Sequence, residues 1–228
     1  MGSPSEVIKN TYFSGKNSGF FVECGANNGL NGSDSLGLEQ MGWKGVNIEA
    51  QTSLYNELIK YRPNAINLHY ALCDKDDCDL TFIVTSQPGN SSLEHSEKHK
   101  QELIQLRHST FVEEKIPAIS WKRLISNQNL TQIDVLILDI EGCEKYVLEN
   151  MKNCEVIPDV ICIEVGYEWG PKKELLKDLG YRFDFFHANN AYCSKPSLPI
   201  DQDATKKYRQ QRFDWWDVTI YDEDRDKF

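Results

Sequence analysis

The chain is organised around residues 19–29, GFFVECGANNG. Apolar residues run into Glu23 and then into a loop with glycines at Gly25 and Gly29, and a helix-like run follows at 35–41. This order predicts a buried strand, a tight turn and a helix. In open α/β sheets, ligands bind beyond the carboxyl ends of the strands, and glycines there allow close approach of the backbone. The stretch therefore predicts a ligand site at the first turn.

A second strand is predicted at 46–49, and it ends in Glu49. A carboxylate at that position lies beside the first loop, where it can accept hydrogen bonds from both hydroxyls of a ribose. The turn lacks the G-x-G-x-x-G spacing of a dinucleotide site, and Glu23 is an unfavourable neighbour for a pyrophosphate. A ligand with an ammonium and a sulfonium group suits that carboxylate better. The sequence thus favours S-adenosylmethionine over a nicotinamide.

Two blocks of the sequence resemble the FkbM family of class I methyltransferases. The family pattern runs roughly F-V-D/E-x-G-A-N-x-G, then L-E, G-W-x-G and I-E-P/A, and this chain carries it at 21–29, 38–39, 42–45 and 48–50. The second block, IDVLILDIEGCE at 133–144, matches I-D-x-L-x-x-D-x-E-G-x-E. A weaker third block ends at Ala71-Leu72. Glu23 replaces the commoner Asp, and Ala50 stands where the family often has Pro.

The resemblance implies a doubly wound, mostly parallel α/β sheet with one antiparallel strand near the end. It also implies an S-adenosylmethionine-dependent O-methyltransferase acting on a hydroxyl of a sugar, a glycan or a similar small molecule. Two alternatives stay open at this point. One is an NAD(P)-dependent oxidoreductase on the same sheet, and the other is a non-catalytic methyltransferase-like binding module.

Composition limits the partners. The formal net charge is −10 and the pI about 5.0, whereas nucleic-acid backbones and anionic membranes attract basic surfaces. We therefore expect neither nucleic acid nor a membrane as partner. The seven cysteines show no paired spacing, and no apolar signal stretch is seen, so we expect free thiols and a cytoplasmic protein. The length predicts a single domain, 1–228. The oligomeric state is left open.

Strand and helix patterns alternate along the chain. Strands are predicted at 19–24, 46–49, 65–72, 80–85, 111–120, 135–140, 160–165, 181–188 and 216–221. Helices are predicted at 35–41, 52–62, 121–127, 144–151 and 172–179, with Ser33 or Asp34 as the N-cap of the first. The strand at 111–120 is a candidate partner of 80–85. The polar segment at about 86–116 is predicted to cover the sheet.

Several residues are candidates for binding the cofactor. Glu23 is assigned to the methionine ammonium group or its water shell, and Ser33 to the methionine carboxylate at the start of the first helix. Glu49 is assigned to the ribose. The remaining candidates are the loop residues Gly25, Asn27 and Gly29, beneath the cofactor, and Ala71, near the adenine. Each has a plain structural alternative, such as a capped turn or core packing.

Catalysis is assigned first to Asp139. Its carboxylate interrupts the apolar run of the predicted central strand, where an unpaired charge is costly to bury. Methyl transfer is mostly a positioning task, but a hydroxyl acceptor must also lose a proton to a base or to a metal-assisted step. Glu141, Glu164 and His187 are further candidates. Asp139 and Glu164, on adjacent strand ends, are a natural pair for Mg²⁺ or Mn²⁺.

Overall fold

The computed structural model describes residues 2–86, 91–93, 104, 110–166 and 169–209. The strands are β1 Phe20–Cys24, β2 Lys44–Glu49, β3 Ile66–His69, β4 Ala71–Cys73, β5 Asp79–Thr85, β6 Phe111–Ser120, β7 Val135–Leu138, β8 Val160–Glu164, β9 Arg182–His187 and β10 Asn190–Ser194. The helices are α1 Pro4–Tyr12, α2 Leu36–Gln40, α3 Thr52–Tyr61, α4 Trp121–Asn127, α5 Glu144–Met151, α6 Trp169–Asp178 and α7 Gln202–Tyr208.

The main sheet has seven strands in the order β3-β2-β1-β7-β8-β10-β9. The first five strands of this order run parallel, and β10 is antiparallel to both of its neighbours. The connection after β1 leads to β2 on one side, and the chain enters the sheet on the other side of β1 only later, with β7. This reversal of strand order creates a crevice at the strand ends. The predicted doubly wound, mostly parallel sheet with one antiparallel strand is confirmed.

Helices cover both faces of this sheet. On β1, Phe21 packs in a core with residues of α1, α2 and α7, whereas Val22 and Cys24 pack in a second core with residues of α4, α5 and α6. All four residues of β7 are buried, with alternate residues in the two cores. A strand covered on both faces needs apolar residues throughout, which explains the sequence VLIL.

The single strand predicted at 65–72 is wrong, because the chain changes sheets at Tyr70. β3 pairs with β2 as far as the last residue of β2, where His69 lies opposite Glu49. Beyond that point β2 offers no partner, and β4 pairs instead with β6 in a second sheet of order β4-β6-β5. The predicted pairing of 80–85 with 111–120 is confirmed by the antiparallel β5–β6 ladder.

Other boundaries also differ from the predictions. The central strand ends at Leu138 rather than at residue 140, since the chain turns with φ of 55° at Glu141 and 101° at Gly142. The N-cap of α2 is Ser35, not Ser33 or Asp34. Strand β10 is not among the predicted strands. It follows β9 after a tight reversal in which Ala188 adopts a φ of 51°. The strand predicted at 216–221 and most of the cover segment lie outside the described residues.

Within the described ranges, no helix combines the length and the apolar character needed to cross a lipid bilayer.

The close packing of β1 against β2 gives a test of the core. A Cβ at Gly45 would lie 2.3 Å from the Phe21 ring, so Gly45→Ala should lower the free energy of unfolding by about 1–3 kcal/mol through overpacking. Urea denaturation measures the change. Gly15→Ala is the control, because nothing lies within 4 Å of its added Cβ. Equal stability of the two variants would contradict the described packing.

Candidate active site

A cleft opens where the strand order reverses, at the carboxyl ends of β1, β2 and β7. Its walls also include β4, the hairpin residue Phe82, and Ser91 and Leu93 of the cover segment. Of the residues singled out in the sequence, six line this cleft: Gly25, Asn27, Glu49, Ala71, Asp139 and Glu141. The tertiary structure thus brings cofactor candidates and catalytic candidates to one place.

The first turn meets the end of β7 backbone to backbone. Gly25 has a φ of 86°, and a Cβ there would lie 1.8 Å from the carbonyl oxygen of Asp139. Both observations exclude a side chain at this position. The Asp139 amide in turn donates to the Cys24 carbonyl at 3.1 Å. Gly25 therefore sets how closely Asp139 approaches the first turn.

The backbone amides of this loop are already engaged. Gly25 and Ala26 both donate to the carbonyl oxygen of Ile48, and Asn27 donates to the Glu49 carboxylate. The next four amides, from Asn28 to Asn31, donate to loop side chains or to the Ala26 carbonyl. A pyrophosphate needs free amides at such a turn. The geometry of residues 25–31 therefore does not suit a dinucleotide.

Glu49 is held at the edge of the cleft with acceptor capacity to spare. Its two carboxylate oxygens accept from the amides of Asn27 and Gln51, each at 2.8 Å. A carboxylate has about four acceptor positions, so both oxygens can still accept from ribose hydroxyls. Burial raises the pKa of Glu49 to about 7, and the two amide hydrogen bonds oppose that shift.

Glu23 and Ser33 lie in the framework beneath the loop and do not line the cleft. Glu23 accepts from the hydroxyls of Ser33 and Ser35, at 2.8 and 2.7 Å, and from the amides of Asp34 and Ser35. Burial raises the pKa of Glu23, while these donors and the Arg62 charge lower it. Glu23 therefore fixes the course of the loop from within, with its acceptor positions occupied.

Arg62 completes this framework. It is 1 % exposed and donates to Glu39 at 2.6 Å, to Ser33 at 2.8 Å and to Ser35 at 3.1 Å. Gly29 also belongs to this layer, since a Cβ there would lie 2.7 Å from the Arg62 side chain. Gly29 therefore permits the packing of the loop on α3 and does not reach the cleft.

Three carboxyl groups meet at the other end of the site. Asp139, Glu141 and Glu164 offer ligand oxygens that all lie within 4.8 Å of one another. The pKa of Asp139 is raised to about 7, mainly by burial and secondly by the negative charge of Glu144. The pKa of Glu164 is raised well above its ordinary value, mainly by burial and secondly by the negative charges of Asp139 and Glu141. A carboxyl group with a raised pKa can accept or release a proton near neutral pH, as general bases and acids do.

His187 is not brought to this site. It is 1 % exposed on β9, and its two ring nitrogens each lie 3.0 Å from a backbone carbonyl oxygen, those of Tyr208 and Gly2. It does not line the cleft. The structure therefore separates His187 from the other catalytic candidates and places it between the N-terminal residues and α7.

Sequence reasoning missed two polar residues near the cluster. The side chain of Asn190, the first residue of β10, donates to the Asp34 carboxyl group. Burial, followed by the charges of Glu23 and Asp139, raises the pKa of Asp34 to about 8. Asn190 also pairs in register with Glu164. Asp34 was interpreted only as a helix cap, and no local pattern could show that an antiparallel strand brings Asn190 beside it.

Comparison with known families agrees with this arrangement. The sequence profile of the methyltransferase FkbM domain matches residues 23–189 of the 228. The chain belongs to the FkbM methyltransferase family. It is therefore an S-adenosylmethionine-dependent methyltransferase of class I, as the sequence blocks predicted. No curated protein sequence gives a significant match.

Solved structures similar to this methyltransferase include three with low identity. A TehB-like SAM-dependent methyltransferase from Corynebacterium glutamicum has 10% identity and a TM-score of 0.46, with 86% of this chain and 88% of that chain covered. TrmK from M. capricolum, in complex with S-adenosylhomocysteine, has 10% identity, a TM-score of 0.44, and 86% and 68% coverage. A precorrin-6y C5,15-methyltransferase from Geobacter metallireducens has 9% identity, a TM-score of 0.43, and 83% and 84% coverage. At these scores none bears on the substrate of this methyltransferase.

The raised pKa of Asp34 predicts a pH-dependent stability. The folded state binds this proton more tightly than the unfolded state, whose ordinary pKa is 3.8, so the contribution of Asp34 to the free energy of unfolding falls as pH rises between 3.8 and about 8. Asp34→Asn removes that loss and keeps an acceptor for Asn190. Urea denaturation gives the free energy of unfolding of the variant and of wild type at pH 5 and at pH 8.5. The difference in favour of the variant should be larger at pH 8.5 than at pH 5. An unchanged difference between the two pH values would contradict the burial of this carboxyl group.

Proposed function

We propose that this protein is an O-methyltransferase that transfers the methyl group of S-adenosylmethionine to a hydroxyl of a sugar, a glycan or a similar neutral small molecule. The observation that carries the proposal is the cluster of Asp139, Glu141 and Glu164 beside the first turn. A hydroxyl acceptor must lose a proton, and a carboxylate whose pKa lies near neutrality is suited to receive it.

The cleft residues suit the parts of the cofactor. Glu49 would accept from the ribose hydroxyls through its remaining acceptor positions. Ala71, with Tyr70 and Phe82 from the same wall, offers an apolar surface for the adenine ring. The methionine end would then extend past Gly25 toward Asp139. S-adenosylmethionine, when bound, supplies an electrophilic methyl group on a sulfonium.

In the proposed reaction the hydroxyl oxygen of the acceptor forms a bond to the methyl carbon while the bond from that carbon to sulfur breaks. The leaving group would be the neutral thioether of S-adenosylhomocysteine. The hydroxyl proton passes to Asp139, which lines the cleft and whose pKa burial raises to about 7. Glu141 and Glu164 hold the acceptor or share the released proton.

The acidic cluster also suggests a divalent cation as a second means of lowering the hydroxyl pKa. Mg²⁺ binds oxygen at about 2.0–2.1 Å, so opposite ligands lie about 4.2 Å apart. The ligand oxygens of Asp139, Glu141 and Glu164 lie within 4.8 Å of one another, so these three carboxyl groups would hold such an ion. We propose proton acceptance by Asp139 as the primary role and a Mg²⁺ or Mn²⁺ ion as the alternative that the activity assay separates.

The charge of the cleft supports a neutral acceptor. Among its described lining residues, the ionisable acids are Glu49, Asp139 and Glu141, and there is no lysine, arginine or histidine. An anionic acceptor would meet repulsion from these carboxylates. The formal net charge of −10 likewise disfavours nucleic acid and anionic membranes as partners. A cytoplasmic setting agrees with the free cysteines of the described chain.

The ribose role of Glu49 gives the first functional prediction. Glu49→Gln should weaken binding of S-adenosylhomocysteine by roughly 10- to 100-fold, because a hydrogen bond to a charged acceptor contributes about 1.5–3 kcal/mol. Since burial raises the pKa of Glu49 to about 7, wild-type affinity should increase from pH 6 to pH 8, and the variant should lose that dependence.

Isothermal titration calorimetry measures both effects. Glu57→Gln is the matched control, because Glu57 is exposed on α3, does not line the cleft and accepts a hydrogen bond from the Asn28 side chain. NADH should not compete. If the folded wild-type protein binds NADH in preference to S-adenosylhomocysteine, the assignment of Glu49 to the ribose of S-adenosylmethionine is wrong and the oxidoreductase is favoured.

The role of Asp139 gives a second functional prediction. Asp139→Asn should lower kcat for methyl transfer by about 10²- to 10⁴-fold, the usual contribution of a general base, and keep the affinity for S-adenosylhomocysteine. The assay is transfer of labelled methyl from S-adenosylmethionine to a panel of neutral glycans, with the O-methyl group identified by NMR. Asp159→Asn is the control. Asp159 directly precedes the amino end of β8, whereas the cleft lies at the carboxyl ends of the strands, and it pairs with Lys195.

Parallel assays with EDTA, and with added Mg²⁺ or Mn²⁺, separate the two roles of the cluster. Activity that resists EDTA supports proton acceptance by Asp139 alone. Activity that EDTA abolishes and either ion restores assigns the cluster to a cation. Tight cofactor binding without transfer to any acceptor would instead favour the non-catalytic module.

A further inference from the structure

A buried ion pair lies directly behind the acidic cluster, and the reaction proposed above does not use it. Lys172 Nζ on α6 lies 2.9 Å from Glu144 Oε2 on α5, with side-chain exposures of 2% and 0%. In the sequence, Glu144 and Lys172 are the first residues of two predicted helices, and no local pattern shows that they meet. Both side chains also form hydrogen bonds with the backbone that carries the cluster, in the loop after β7 and at the end of β8.

Glu144 holds the loop after β7. Its second oxygen, Oε1, accepts from the backbone amides of Ile140 and Gly142, each at 3.1 Å. These two amides flank Glu141, which adopts a left-handed φ of 55° that is unfavourable for a residue with a side chain. The same carboxylate thus fixes the residue after Asp139 and both neighbours of Glu141.

Lys172 holds the end of β8. Its ammonium group donates to the backbone carbonyl oxygen of Glu164 at 2.9 Å. Strands β7 and β8 are neighbours in the sheet, and their ends present Asp139 and Glu164 to the same point. The ion pair therefore connects the two strand ends through one continuous set of hydrogen bonds.

Stability alone does not account for this pair. Two charges removed from water lose their hydration, and an apolar pair of similar volume is often equally stable or more stable. The two helices that carry the pair are otherwise buried through apolar side chains, among them Val147 and Leu148 on α5 and Leu176 on α6. What an apolar pair could not supply is the set of contacts to Ile140, Gly142 and Glu164.

We propose that the Glu144–Lys172 ion pair is a positioning device that holds the carboxyl groups of Asp139, Glu141 and Glu164 together at the cleft. Three carboxyl groups within 4.8 Å repel one another when ionised, and the pair restrains the backbone that carries them. The catalytic consequence rests on the proposed function, whereas the ordering of the loop does not.

Two double variants test the proposal. Glu144→Leu/Lys172→Met replaces the pair with apolar side chains, leaves no unpaired buried charge and removes every contact to the two loops. Glu144→Gln/Lys172→Met also lacks the ion pair, but its amide oxygen can still accept from Ile140 and Gly142. The two differ at residue 144 alone, so comparing them isolates the hydrogen bonds to the loop after β7.

Positioning predicts a specific pattern of kinetics. In the Leu/Met variant, kcat should fall by about 30-fold or more, while the affinity for S-adenosylhomocysteine stays within about threefold of wild type. The Gln/Met variant should recover most of the lost kcat. The acceptor is the neutral glycan that wild type methylates best, and calorimetry gives the affinity.

The control is Lys152→Met/Asp178→Asn. This pair joins the same two helices at their other ends, at 3.0 Å, but its side chains are 39% and 60% exposed and contact neither strand end. It should leave kcat unchanged. The proposal would be overturned if the Leu/Met variant folds and keeps the wild-type kcat. It would also be overturned if kcat falls only in proportion to the affinity for S-adenosylhomocysteine.

Hydrogen exchange separates this proposal from the proposed function. In the protein saturated with S-adenosylhomocysteine, the amides of Ile140 and Gly142 should exchange about tenfold faster in the Leu/Met variant than in wild type and in the control. If wild type methylates no acceptor, the proposed function fails, and these exchange rates still decide the positioning role. Unchanged exchange in the Leu/Met variant would refute it.

Discussion

The site depends on one backbone contact, between Gly25 and the carbonyl oxygen of Asp139. A Cβ at residue 25 would lie 1.8 Å from that oxygen, so only glycine permits the approach. Because β1 and β7 are neighbours on either side of the point where strand order reverses, this contact joins the two halves of the cleft. Glu49 stands on one side of it and the acidic cluster on the other.

Two groups can be distinguished among five acids around the site: Glu23, Glu49, Asp139, Glu144 and Glu164. The oxygens of Glu23 accept from donors of the adjoining loop, and the charge of Arg62 lies nearby. The oxygens of Glu144 accept from loop amides and from Lys172. Glu49 has amide partners and acceptor capacity left, while Asp139 in the cleft lining and Glu164 beside it carry raised pKa values. The first group shapes the loops, and the second is available for chemistry.

Local patterns predicted much of this arrangement. The strand, turn and helix after Gly19, the acid at the end of β2 and the acid after β7 follow from periodicity and from the position of each residue at a strand end. Local patterns did not show that Glu23 and Ser33 lie outside the cleft lining. For Glu23 the physical reason is that successive side chains of a strand face opposite sides. Glu23 shares the face of Phe21, beneath the loop, whereas Cys24 lines the cleft.

The sequence by itself determined the fold class, the family and the chain positions of the acids, since these depend on residue order over short spans. Only the tertiary structure decided which acids share the cleft, where the chain leaves the main sheet at Tyr70, and that His187 lies elsewhere. It also decided that Glu144 meets Lys172, 28 residues further along the chain. Contacts of this kind depend on how strands pair and helices pack, and a residue's neighbours in sequence carry no record of its partners in space.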